Sequence, residues 1–91
     1  MEIIKFLADK LARKIGMSAV AARGLIKLSI KDKYGPFKPY EQLTYGDLEQ
    51  MIEDSLKKRL EEIEIDNLED LITFLKTELN ENQSLITMGA V

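Results

Sequence analysis

The sequence predicts an all-α fold, a single-domain, four-helix bundle-like chain with an aromatic-rich loop between helices 2 and 3 and an apolar C-terminal tail. Three observations predict it. Apolar residues recur three and four positions apart in four separate segments. No segment sustains the alternation of period two that a half-buried strand requires. Between the segments stand helix-stop and helix-start residues: Gly16 then Ser18, Tyr34-Gly35-Pro36, Thr44 with Asp47, and Asp66 with Glu69.

The first helix is expected at about residues 2–15, gathering Ile3, Ile4, Phe6, Leu7, Leu11 and Ile15 on one broad face. Lys10, Arg13 and Lys14 fall in its last turn, where cations suit the helix dipole, and Gly16 ends it. Ser18 is the N-cap of a second helix at about 18–33, with Val20, Ala21, Leu25, Leu28 and Ile30 expected toward the core. Gly24 inside it costs about 1 kcal/mol against Ala, which suggests a close helix crossing.

The third helix, at about 45–63, carries the strongest start signal. Thr44 and Asp47 have capping-box spacing, while Leu43 and Leu48 occupy the positions of a hydrophobic staple. Leu48, Met51, Ile52, Leu56, Leu60 and Ile63 form its stripe, and the pairs Glu53/Lys57 and Asp54/Lys58 have the favourable i,i+4 order on the solvated face. The fourth helix, at about 67–80, turns Leu68, Leu71, Ile72, Leu75 and Leu79 inward and ends at the polar run Asn80–Ser84. The tail, 83–91, has no charged side chain.

A chain of 91 residues buries about 64% of its extended surface on folding, enough for one core and one domain. It has no Cys, His or Trp, which removes disulfides, thiolate nucleophiles, imidazole bases and the usual zinc ligands. Neither enzymatic activity nor a cofactor is therefore expected. No run of roughly 18 apolar residues occurs, and Lys5, Asp9 and Lys10 interrupt anything resembling a signal peptide, so the expected location is cytoplasmic.

Charge is divided unevenly. Residues 1–38 carry nine Lys or Arg against three acids, net +6, and residues 39–91 carry four against thirteen, net −9. Either the halves attract one another on folding, or the first half meets an anionic partner. Residues 11–27, LARKIGMSAVAARGLIK, resemble a helix-turn-helix motif, with Ala12 at the helix approach, Gly16 at the turn and Ser18 opening the second helix. That resemblance implies a nucleic-acid binder using residues 12–31, with contacts from Ser18, Arg23, Lys27 and Lys31. Of these only Arg23 can clamp a guanine through two hydrogen bonds.

In KDKYGPFKPY, residues 31–40, lysines interleave with Tyr34, Phe37 and Tyr40. The rings can pin the link to the bundle end, line a protein-binding groove, or stack on single-stranded bases. Asp54-Ser55-Leu56 is similar to the acyl-carrier tripeptide whose serine takes phosphopantetheine, but that family's serine opens a helix, whereas Ser55 lies inside a continuous stripe. The acids between Glu61 and Asp70 lack the glycine and ligand spacing of a calcium loop. The first helix is amphipathic and basic enough to lie on a membrane surface, although core packing accounts for the same pattern.

Five apolar segments are many for one small bundle, so the sequence points to association with itself or with another protein. The expected interface residues are Tyr34, Phe37 and Tyr40 in the link and Leu85, Ile86, Met88 and Val91 in the tail. Nucleic-acid binding is the alternative.

Overall fold

The computed structural model describes residues 2–89, with side-chain surroundings for residues 2–86. The elements in order are α1 (Glu2–Ile15), α2 (Ala19–Tyr34), α3 (Tyr45–Met51), α4 (Lys57–Glu62), α5 (Leu68–Glu81) and α6 (Ser84–Gly89). A π-helical turn, Ile52–Leu56, carries α3 into α4 without a break, and a short 3-10 turn, Tyr40–Gln42, lies in the link that precedes α3. The described residues contain no strand, and the architecture is an all-α, bundle-like fold around one buried cluster.

α1 forms because its apolar residues recur at helical spacing, and it buries Ile3, Ile4, Leu7, Ala8, Leu11 and Ala12 against α2, α5 and α6. Gly16 ends it at φ +70°, a conformation that L side chains resist, and the amides of both Gly16 and Met17 donate to the Ala12 carbonyl. Ser18 caps α2 as its type predicts, its hydroxyl accepting from the Ala21 amide at 3.1 Å. At α3 the capping box is complete: Thr44 Oγ1 accepts from the Asp47 amide and Asp47 Oδ2 accepts from the Thr44 amide, each at 3.1 Å. Leu43 and Leu48, the staple pair, are both buried.

Several expectations are corrected. α2 turns a different face inward: Ala22, Ile26, Ser29 and Ile30 are buried, whereas Val20 is 72% and Leu28 46% exposed and Ala21 is exposed. α2 is apolar on two sides, so periodicity alone does not select the inner one. The buried face includes Ser29, whose hydroxyl is satisfied by the Leu25 carbonyl of its own helix at 2.8 Å and whose carbonyl accepts from Ser55 across the crossing at 2.6 Å. Gly24 lies on the exposed side with nothing within 4 Å of where a Cβ would stand, and it marks no helix crossing.

The third helix is not one regular α-helix. In an unbroken helix Ile63 lies only about 20° around the axis from Ile52, but the wider π turn rotates the segment beyond it. Leu60 is buried and Ile63, the residue at which α4 ends, is 50% exposed. The same turn redirects the charges expected to pair along the helix: Glu53 meets Lys76, Asp54 meets Lys33 and Lys57 meets Glu69, all across elements.

The start of α5 is set by Asn67 rather than Asp66. Asn67 adopts the left-handed conformation and makes no side-chain cap bond. Just before it α4 closes in a Schellman arrangement: the Glu64 amide donates to the Glu61 carbonyl at 3.1 Å and the Ile65 amide to the Leu60 carbonyl at 3.4 Å. Glu64 holds φ +55° at the position glycine usually takes.

The tail is helical at its start. The polar run ends α5 at Asn82, whose side-chain amide donates to the Glu78 carbonyl at 2.8 Å, and the chain then forms α6. Leu85 and Ile86 are half-buried against the core, with α6 lying on α1. The Met88 side chain and Val91 lie outside the described residues.

Candidate protein-binding surface

The link between α2 and α3 is held at one ring and open at another. The Tyr34 hydroxyl donates to the backbone carbonyl of Asp47 at 2.6 Å, and Lys38 lies 5.3 Å from the Tyr34 ring centre and 3.7 Å from Asp47 Oδ2. Burial, and then the Asp47 carboxylate, push the Tyr34 phenol above its ordinary value. Tyr40 is half-buried against the core. Phe37 is 92% exposed between Pro36 and Pro39, so the pinning expected of the three rings applies to Tyr34 and Tyr40 and not to Phe37.

Two shallow hollows meet at Tyr40. One is lined by Lys5 of α1, Arg23 and Lys27 of α2, Tyr40 and Glu2. The other is lined by Lys31, Phe37, Lys38, Tyr40 and Glu41 together with the link backbone. Arg23, Lys27 and Lys31 follow one another at four-residue intervals, a row with a rise of about 6 Å per step. Among the described residues none of Lys5, Arg23, Lys27 and Lys31 forms an ion pair. Val20 and Leu28 add exposed apolar surface on the outer side of the same helix.

The structure thus brings three of the four expected nucleic-acid contacts, Arg23, Lys27 and Lys31, onto one row. Ser18 does not belong with them, because its hydroxyl is engaged as the α2 cap. Of the expected interface residues, Phe37 and Tyr40 share a hollow with Lys31, while Tyr34 is engaged with α3 and Leu85 and Ile86 lie on the core. Lys5 is not among the expected site residues, and Val20, a groove-facing position of the helix-turn-helix resemblance, is not among the expected interface residues. Lys5 lies on another helix, so only packing shows its proximity to Arg23; Val20 was assigned to the core by spacing alone.

A further hollow lies over the π turn, lined by Asp32, Lys33, Asp54, Ser55, Lys58 and Arg59 among others. Its charges largely satisfy one another. The Arg59 guanidinium donates to both Asp32 oxygens, at 2.5 and 3.0 Å, and holds the Asp32 carboxyl below its ordinary value. Lys33 donates to Asp54 at 2.8 Å, lowering the carboxyl and raising the ammonium. Ser55 donates its hydroxyl hydrogen to the Ser29 carbonyl at 2.6 Å.

Lys33 and Lys38 are therefore the basic-half lysines that pair with the acidic half, and Lys10 and Lys14 lie over the Phe6 and Phe74 rings at 5.3 and 4.5 Å. Among the described residues no cluster of three metal-ligating side chains is placed to hold an ion, and no helix is long and apolar enough to cross a membrane. Comparison with protein-family models, curated proteins and solved structures finds no match to this chain.

Proposed function

We propose that the protein is a non-enzymatic binding module of the cytoplasm that works by association with protein, using the outer side of α2 and the link that follows it. The exposure of Phe37 carries the reading. A phenylalanine at 92% exposure beside Lys31, which forms no ion pair among the described residues, is an aromatic anchor of the kind that dominates interface energetics, left open to a partner. Val20 and Leu28 extend the apolar surface along α2.

The test is site-specific photo-crosslinking in the native cell. A photoreactive side chain at position 37 or 28 is expected to give discrete protein adducts, and one at the exposed Thr73 to give none. Equal labelling at all three positions, or adducts with nucleic acid alone, rejects the reading. Light scattering then distinguishes a second copy from another protein: a molar mass above 10.4 kDa that rises with concentration identifies self-association.

A second reading rests on the row Arg23, Lys27 and Lys31, which fits phosphates as well as carboxylates. Binding of a duplex through that row weakens steeply with salt, whereas association through Phe37, Val20 and Leu28 resists it.

A further inference from the structure

We infer that the two hollows joined at Tyr40 form a groove for a short acidic segment of a partner protein, its carboxylates on Lys5, Arg23, Lys27 and Lys31 and an apolar side chain on Phe37. The inference rests on the proposed association and names the chemistry of the partner.

Charge complementarity selects the occupant. Lys5, Arg23 and Lys27 converge on one hollow from two different helices, and Lys31 continues the row into the hollow that contains Phe37. Steps of about 6 Å along α2 come close to the spacing of every second side chain on an extended chain, about 6.6 Å. An extended segment with acids at alternate positions therefore meets successive cations. Tyr40, half-buried against the core, lines both hollows, and Phe37 offers an exposed ring in the second.

The same geometry disfavours a long polyanion. Glu2 lines the first hollow and Glu41 the second, and residues 39–91 carry net −9. A nucleic acid that runs past the groove meets like charge beyond it, whereas a segment of a few residues meets only the groove's own side chains, of which the cations outnumber Glu2 and Glu41. Arg23 and Lys27 make no ion pair among the described residues, so reversing their charge removes binding without removing a described ion pair.

The experiment uses the full chain and three fluorescein-labelled probes: a peptide of Glu-Ala repeats ending in Phe, the same peptide with Gln for Glu, and a single-stranded oligothymidylate of similar length. At low salt the acidic peptide is expected to bind at least about tenfold tighter than the Gln peptide and tighter than the oligonucleotide. Arg23→Glu with Lys27→Glu is expected to weaken the acidic peptide by about tenfold or more with the helical circular dichroism unchanged, and Phe37→Ala to weaken both peptides equally. Should the double variant lose its helical signal, Lys5→Glu replaces it, with the same loss of affinity expected.

Equal binding of the two peptides overturns the inference and leaves protein association standing. Tighter binding of the oligonucleotide overturns it in favour of nucleic acid. If no probe binds, the groove does not take acidic segments, and the crosslinks at position 37 decide the proposed association independently.

Discussion

Ser55 Oγ donates to the Ser29 carbonyl at 2.6 Å inside the buried junction between α2 and the π turn, the buried counterpart of the Lys33–Asp54 pair that ties the same two elements at the surface. Ser29 is fully buried, and its own hydroxyl is satisfied within α2. Removal of the two hydroxyls therefore has unequal consequences. Ser55→Ala removes the tertiary donor from a buried carbonyl that keeps its helical one and is expected to destabilise by about 1 kcal/mol, while Ser29→Ala stays within about 0.5 kcal/mol of the parent. Urea unfolding of both variants checks the contrast; equal losses would show that the crossing depends on volume and not on the interhelical bond.

Glu64 occupies the left-handed position of the Schellman turn at φ +55°. Glycine has no Cβ to strain there, so Glu64→Gly is expected to stabilise the chain by about 1 kcal/mol even though it adds freedom to the unfolded state. A rise in the unfolding midpoint at unchanged slope is the expected result, and a fall would place a stabilising role on the Glu64 side chain.

α6 contributes Leu85 and Ile86 to the core from one edge, over α1. Truncation after Ser84 is expected to cost about 2 kcal/mol, given the partial burial of two large aliphatic side chains, and to leave the number of chains per particle unaltered. A drop in that number instead would locate residues 85–91 in an interface between chains.

Stability should be level near neutrality and fall at both extremes. Arg59 lowers the Asp32 carboxyl and Lys33 lowers that of Asp54, so the stability these pairs contribute is fully present above the ordinary aspartate value of 3.8 and is lost as pH falls through their lower folded values. Lys33, Lys57 and Lys76 are raised by Asp54, Glu69 and Glu53, so their contribution is complete below 10.5 and is lost as pH rises through the folded values. Melting temperature against pH, at low and high salt, measures this directly. All these groups lie at the surface, so salt is expected to flatten both flanks.

Legibility in the sequence followed the range of the interactions. The α3 start was readable because Thr44, Asp47, Leu43 and Leu48 act within five residues of one another. Gly16 and Ser18 were readable for the same reason. The inner face of α2 was not, because Ala22 and Ser29 are poor markers of burial and the choice depends on what Ser55 presents from another helix. The π turn contains that same contact and leaves no mark in the spacing, so the expected placements of Ile63 and of the Glu53/Lys57 and Asp54/Lys58 pairs fail together. At the candidate surface, the row Arg23, Lys27 and Lys31 was visible as helical spacing. The convergence of Lys5 and Tyr40 upon it required tertiary structure.

The position of α1 governs how the chain acquires its fold during synthesis. α1, whose Ile3, Leu7 and Leu11 are buried, packs on α2, α5 and α6, so the earliest of these helices to be synthesised is completed by the latest. A helical hairpin of α1 and α2 can form within microseconds, but the residues from Gly16 to Gln83 take roughly 3 to 14 s to be added at the usual rate of translation. For that interval the nascent chain carries an unfinished apolar stripe, open to chaperones and to premature pairing with neighbouring nascent copies. Slower translation lengthens that exposure, and a transplanted α6 supplied in trans would shorten it.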